Sequence, residues 1–506
     1  MAVRANFWYQ STNDSSATPA IDPLDLFDPP RWGLCLAAVV DLGRRLYRFW
    51  QRYRRCFQTR TRDTSEQAYT YLRAQLTMDA QRNFKNIDRR LNGGDGQGLQ
   101  HFMANSPWAK AAVFDQIQAE VTAVPHLAHD SLLILDESAD AKAGTQTVGA
   151  ARQYNGRLGK VDVCRVDTCL AYANVRAGLW ALVDAELYLP EEWFGKPFAE
   201  RRRRLGVPER RVFQSKIELG LQMIARAQAN GLPFERLACD AFYGKDRQFR
   251  AALQAQKVWY AADVPADTQV YLREPRVGIP RKRNPRGRPP TRWKVLSLQI
   301  PHEVRALARS PRTVWQRVRV RPTERGWLEA EFAVQRVWTI TDVGQVRAEW
   351  LVIRREADGD CAYTLLNDPP DSPPQTLIEA SCGRYFIERL FEDGKTGLGW
   401  DEFQAQKYQA SEHHLALTAL ALWFVAETKL DWAQTYARDP ELACQFELEV
   451  LPALSTANVR DLLKAVLPVP QLTPKQAVQV VARMFVDRAR SIRSRLKAQS
   501  RHEAPP

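Results

Sequence analysis

The sequence predicts a mixed α/β chain, α+β overall, assembled from more than one unit. Helical periodicity fills residues 31–128, with arginine and lysine on the polar faces of RRLYRFWQRYRR, SEQAYTYLRAQL and GLQHFMANSPWAKAAVFDQIQAEV. From residue 131 short apolar runs alternate with helical segments. Residues 265–375 are rich in β-branched and aromatic side chains and read as consecutive strands. A chain of 506 residues is also too long for one ordinary core.

Composition narrows the partners. Lys and Arg number 72 against 58 Asp and Glu, a net charge of +14. That excess points to a polyanion, either nucleic acid or an acidic membrane surface. No apolar run approaches the ~20 residues that span a bilayer; GLCLAAVV (33–40) and LALTALALWFV (415–425) are expected to be core helices. The N-terminus lacks the basic start and apolar middle of a signal peptide. The eight Cys form no CxxC pair, which argues against a zinc framework and for reduced thiols in a cytosolic protein.

Taken in order, residues 1–30 are rich in Ser, Thr, Asp and Pro and are expected to be disordered. Residues 31–128 form the helical unit, with GGDG at 93–96 as a loop. In SLLILDESAD (131–140) four aliphatic residues form a strand expected to end on Asp136. VDVCRVDTCLAYA (161–173) and GLWALVDAELYL (178–189) supply two more strands. FQSKIELGLQMIARAQANG (213–231) is a helix with a glycine stop. RLACDAFYG (236–244) is a strand ending on Asp240, KDRQFRAALQAQ a helix, and VWYAADV (258–264) a fifth strand. No GxGxxG follows the first strand, so a Rossmann unit is not required. Three strands, helix, strand, helix, strand suits an RNase H-like domain, and 129–264 is assigned as its first part.

Residues 265–375 interrupt that domain as a β-rich insertion. A basic loop opens it, followed by RWKVLSLQI, TVWQRVRVRP, GWLEAEFAVQRVWTIT and EWLVIRREA. Strand alternation places Arg317, Arg319 and Arg321 on one face, as a phosphate contact or a solvated edge. Helical texture returns for 376–430, and 431–506 forms a helical C-terminal region with the basic tail ARSIRSRLKAQSR.

Asp136 and Asp240 end apolar strands of one proposed sheet. Two carboxylates that close repel each other unless cations stand between them, which suits Mg²⁺. A third acid is expected on SCGRYFIERLFEDGKTGLGW (381–400). Arg384, Glu388 and Lys395, spaced four and seven apart, fall within about 40° on one helical face. A plain surface ion pair reads the same way, and Glu392 is the rival acid. In the basic loop, Pro285-Arg286-Gly287-Arg288-Pro289 matches the core of an AT-hook, a slim backbone whose arginines can enter a narrow minor groove. A basic loop touching phosphates without preference is the alternative. Five Trp lie between 290 and 350, none singled out, and His413 and His414 are expected to be structural or phosphate-facing.

These motifs together resemble the DDE transposases of bacterial insertion sequences, in the branch with a Tyr-x2-Arg-x3-Glu-x6-Lys signature. Arg384, Glu388 and Lys395 stand at the signature spacings, while Ser381 replaces the Tyr. SLLILDESADAKAG resembles the first-Asp motif, VGAARQYNGRLGKVDVC the segment after it, and LACDAFYG the second-Asp motif with Tyr243 and Gly244. The resemblance implies an RNase H-like fold with a β-rich insertion and a DNA-binding N-terminal domain at 31–128. It implies catalytic Asp136, Asp240 and Glu388 holding two Mg²⁺ ions, replaceable by Mn²⁺. Arg384 and Lys395 would hold phosphates, and Arg286, Arg288, Arg317 and Arg319 would contact DNA. The partners implied are double-stranded DNA, as element ends and target, and a second copy of the chain in a synaptic dimer, with no membrane. In related transposases with such an insertion, an aromatic can stack on a flipped base. A domesticated DNA-binding protein and an RNase H-fold nuclease are the competing readings.

Overall fold

The computed structural model describes residues 26–156, 158–281, 290–323, 326–356, 358–471 and 473–502. Most of the segment expected to be disordered, residues 1–25, and the AT-hook arginines Arg286 and Arg288 therefore lie outside the described residues.

Five helices open the described chain: α1 (Leu36–Tyr53), α2 (Ser65–Thr77), α3 (Phe84–Asn92), α4 (Gln97–Asn105) and α5 (Lys110–Thr122). In α1 the buried residues are Leu42, Leu46, Phe49, Trp50 and Tyr53, one stripe at helical spacing that leaves the arginines outside. α2, α4 and α5 pack on the helix Tyr408–Thr435, which carries the LALTALALWFV run, and α1 reaches it through Phe49 against Phe424. Residues 410–426 of that helix are buried on every side, as the nearly all-apolar run from Leu415 to Val425 requires. It packs on the central sheet through one face and on α2, α4 and α5 through another. Each fully buried large apolar side chain there contributes about 1.5–3 kcal/mol. His413 and His414 tie the helix to its neighbours. His413 lies within 2.9 Å of the Met103 and Trp108 carbonyl oxygens, and His414 within 2.9 Å of the Tyr71 hydroxyl and the Trp400 carbonyl oxygen. Burial pushes their pKa values down to about 4 and about 3, and both are structural groups.

The sheet begins with β1 (Ser131–Ala141), β2 (Ala151–Asn155), β3 (Lys160–Asn174), β4 (Leu179–Leu187), β5 (Arg236–Cys239) and β6 (Trp259–Asp263). β1 runs antiparallel to β3, which pairs with β2 along one part of its far edge and with β4 along the other. On its other side β1 runs parallel to β5, and β5 parallel to β6. The helices Lys216–Ala229 and Arg247–Ala255 make the two crossovers. The first starts at 216 because Ser215 and Glu218 form a reciprocal capping box.

Three expectations are corrected. β1 does not end at Asp136: it continues to Ala141 because β3 is long enough to keep pairing with it, while β5 departs at Asp240. RWKVLSLQI is not a strand of the sheet; only Lys294–Val295 pairs, with Val277–Gly278. Arg321 leaves the face of Arg317 and Arg319, because a bulge between Arg319 and Arg321 shifts the register and buries it. The remaining β segments extend the central sheet. Gln316–Thr323, Gly326–Ile340, Val346–Arg355 and Cys361–Leu366 pair antiparallel in that order, and the last joins β6, giving ten strands.

Gly244 closes the single turn after Asp240, and a methyl group there would strike the Asp263 carbonyl oxygen on β6. Backbone cannot yield as a side-chain tip can, so Gly244→Ala is expected to lower stability by ~3 kcal/mol. Urea unfolding checks this; an unchanged midpoint would show that the turn shifts freely.

Candidate active site

Register builds the site. Leu135 pairs with Cys239 and Cys239 with Ala262, so the next residues, Asp136, Asp240 and Asp263, emerge as one layer across three neighbouring parallel strands. Asp240 is the first cap of the turn that follows it, with Oδ1 accepting from the Phe242 and Tyr243 amides at 3.0 and 3.3 Å. Asp263 Oδ1 accepts from the Thr364 hydroxyl at 2.7 Å. Asp136 is largely buried. That burial, and then the charge of Asp240, pushes its pKa up to about 7. Asp263 is also shifted upward, first by burial.

Arg384 stands among these acids. Its Nη1 lies 3.1 Å from Asp136 Oδ2, its Nε 3.3 Å from Asp263 Oδ2, and its Nη2 3.0 Å from Glu388 Oε1. Burial alone would lower the Arg384 pKa, but Asp136, Asp263, Glu388 and Asp240 outweigh it and raise it. The helix Tyr385–Glu392 delivers Glu388 on its exposed side while Phe386, Ile387 and Leu390 face the core. Glu392 points elsewhere and pairs with Arg389 at 2.7 Å.

Two helical extrapolations fail here. Lys395 is not on the α-helical part of the Glu388 helix but on the π-helical turn that continues it, Asp393–Gly397. Gly394 must clear the Trp400 ring there, and the turn brings Lys395 Nζ to the Ala139 carbonyl oxygen at 3.2 Å, on the continuation of β1. Ser381 is not on that helix either. It ends a separate helix, Pro374–Ser381, and donates back to the Ile378 carbonyl oxygen at 2.7 Å. The break falls at Gly383, where any side chain would strike Leu132 of β1. Tyr385 lies under the Arg321 guanidinium, 3.6 Å from the ring centroid, so its ring is a packing surface.

Arg317 and Arg319 are not brought to the acids. They lie exposed on the outer edge strand, where Arg317 pairs with Glu329 at 2.8 Å and Arg319 with Glu449 at 3.4 Å. Such exposed pairs exchange readily. Of the five Trp, Trp293 and Trp327 are nearly half exposed, whereas Trp315 lies under Arg355 and Trp350 donates to the Pro369 carbonyl oxygen.

Sequence reasoning missed Asp263 and Glu137. VWYAAD carries the same signal as the other two motifs, an apolar strand reaching an acid. Glu137 points to the opposite face of β1, where it binds Lys216 at 2.5 Å and the Tyr243 hydroxyl at 3.3 Å. Among the described residues no three His, Cys, Asp or Glu side chains are grouped as a ready metal cage. The donors present are nevertheless hard carboxylate oxygens, and the burial and then the repulsion from Asp240 that raise Asp136 are of the kind a divalent cation offsets.

No helix among the described residues is long and apolar enough to cross a membrane. Residues 52–326, which include Asp136, Asp240 and Asp263 but not Glu388, match the family described as DDE superfamily endonuclease. Over 346 residues the chain is 23% identical to a protein of Microchaete diplosiphon described as a probable transposase for insertion sequence element IS701; the match covers 68% of this chain and 78% of that one. The layer of strand-end acids and the family match over more than half the chain lead to one conclusion: the chain belongs to the DDE superfamily endonucleases.

Proposed function

We propose that the protein is an insertion-sequence transposase that cuts DNA at the element ends and joins the freed 3′ ends to target DNA. The observation that carries this reading is the convergence of Asp136, Asp240 and Glu388 around Arg384. The strand order supports an RNase H-like core: β1, β3 and β4 antiparallel, then β5 and β6 parallel beside β1. Asp136, Asp240 and Glu388 would hold divalent cations, Mg²⁺ or Mn²⁺, which when bound supply a nucleophile at neutral pH and stabilise the leaving oxygen.

The protein's own groups set the geometry. Asp136 is held because β1 is paired with β3 through it and with β5 up to Leu135, and its Oδ1 is fixed by the Glu137 amide at 2.7 Å. Asp240 is fixed by two backbone amides. Glu388 is exposed and can move. Arg384 and Lys395 flank the acids and would orient phosphate oxygens of the bound strand. Two copies of the chain would hold two element ends, and the basic loop would grip DNA beside them.

A labelled duplex carrying the DNA that flanks the gene, incubated with the protein and Mn²⁺, is expected to be cut at the element boundary. Absence of cutting on matched inverted repeats would overturn the reading. Arg286→Ala with Arg288→Ala is expected to weaken duplex binding and flatten its salt dependence by about 1.8 in log–log slope, two phosphate contacts at ~0.9 each. A greater loss on AT-rich than on GC-rich duplexes would mark minor-groove entry; equal loss would leave phosphate contact alone.

A further inference from the structure

The function proposed above uses three acids, but the guanidinium among them is held by a fourth that has no part in it. Asp263 cannot follow a moving partner. It is the last residue of β6, it pairs with Thr364 on the neighbouring strand, and its Oδ1 is occupied by the Thr364 hydroxyl. Only Oδ2 remains, and it faces Arg384 Nε at 3.3 Å. The other two contacts of the guanidinium differ in kind. Nη1 and Nη2 lie on Asp136 and Glu388, oxygens that a divalent cation would also require. Glu388 is more than half exposed and sits on a helix surface, so it can exchange partners.

We propose that Arg384 is a built-in competitor for the metal at this site and that Asp263 is the positioning residue that tethers it. Arg384 neutralises the acids when no divalent cation is bound. Metal binding then displaces Nη1 from Asp136 and Nη2 from Glu388 but leaves Nε on Asp263. The guanidinium therefore stays at the site with its two Nη groups turned free, placed to receive a DNA phosphate. Without the Asp263 carboxylate, all of its hydrogen bonds would go to Asp136 and Glu388, and the cation would meet stronger competition. The inference rests on the acidic-site reading above and deepens it.

The test is Mn²⁺ binding by the full-length protein without DNA, measured by titration calorimetry and by the loss of free-Mn²⁺ paramagnetic resonance signal. Arg384→Ala is expected to bind Mn²⁺ about tenfold more tightly, the scale of releasing a partly buried ion pair. Asp263→Asn in the otherwise native chain is expected to bind about threefold more weakly. In the Arg384→Ala background, Asp263→Asn is expected to change nothing, since the tethered group is gone. Asp136→Asn separates the two levels. If Mn²⁺ binds Asp136→Asn as well as the native chain, the acidic-site reading fails and this inference with it. If Asp136→Asn loses binding but Arg384→Ala binds no more tightly, only the competition is overturned. If Asp263→Asn weakens binding equally with and without Arg384, Asp263 acts on the ion directly and the tether is overturned. Should Asp263→Asn fail to fold, Thr364→Val frees Asp263 Oδ1 for the guanidinium. It is then expected to strengthen the tether and tighten Mn²⁺ binding only while Arg384 is present; an equal change without Arg384 would overturn the tether.

Discussion

Asp136→Asn and Asp240→Asn are each expected to lower metal-dependent DNA cleavage by on the order of 10³-fold or more. Such a site supplies several kcal/mol of charge stabilisation, at tenfold in rate per ~1.4 kcal/mol. Duplex binding is expected to remain, because the cations proposed to face phosphate are untouched. Cleavage of the end duplex in Mn²⁺ or Mg²⁺ measures the first effect and gel retardation the second; full cleavage by either variant would remove that residue from the site.

The same substitution has a stability signature. Unfolded, Asp136 titrates near the ordinary 3.8; folded, near 7, because burial and then Asp240 disfavour its charge. Between those values the folded state holds more protons than the unfolded one. The contribution of this group to stability is therefore greatest below about pH 4 and falls as pH rises towards 7. Asp136→Asn is expected to abolish that decline in metal-free protein. Urea midpoints of both chains between pH 4 and pH 8 check it through their difference, because His413 and His414 act in the opposite sense over the same range; a difference that does not change with pH would contradict the buried, repelled carboxylate.

The second large effect separates two acids one turn apart. Glu388→Gln is expected to lose cleavage on the same order as Asp136→Asn, while Glu392→Gln stays near native activity. Glu388 shares Arg384 with Asp136, whereas Glu392 is satisfied by Arg389 on the outer surface. Both side chains are more than half exposed, so folding stability is expected to move by no more than about 1 kcal/mol in either variant. A dead Glu392→Gln beside an active Glu388→Gln would place the wrong turn of the helix at the acids.

Local patterns were legible in the sequence because each depends on near neighbours. The stripe from Leu42 to Tyr53 and the apolar runs reaching Asp136 and Asp240 are set by helical and strand repeats of the chain itself. The burial of LALTALALWFV followed from having no polar face to turn outward. Asp263 was equally visible as an acid at the end of VWYAA, yet nothing nearby in the chain distinguishes it from a surface turn.

What only the tertiary structure decided depends on contacts between distant segments. Whether β1 stops at Asp136 is set by the length of β3, not by the sequence of β1. Extrapolating one helix from 381 to 395 failed at both ends, where Gly383 crosses Leu132 and Gly394 clears Trp400. The bulge that buries Arg321 arises from register against a partner strand. Asp136, Asp240 and Asp263 form one layer because parallel pairing aligns three strand ends that lie 104 and 23 residues apart along the chain, and Arg384 reaches Asp136 from 248 residues away. Spacing along a chain fixes which face a side chain takes within its own element; only pairing and packing fix which faces meet.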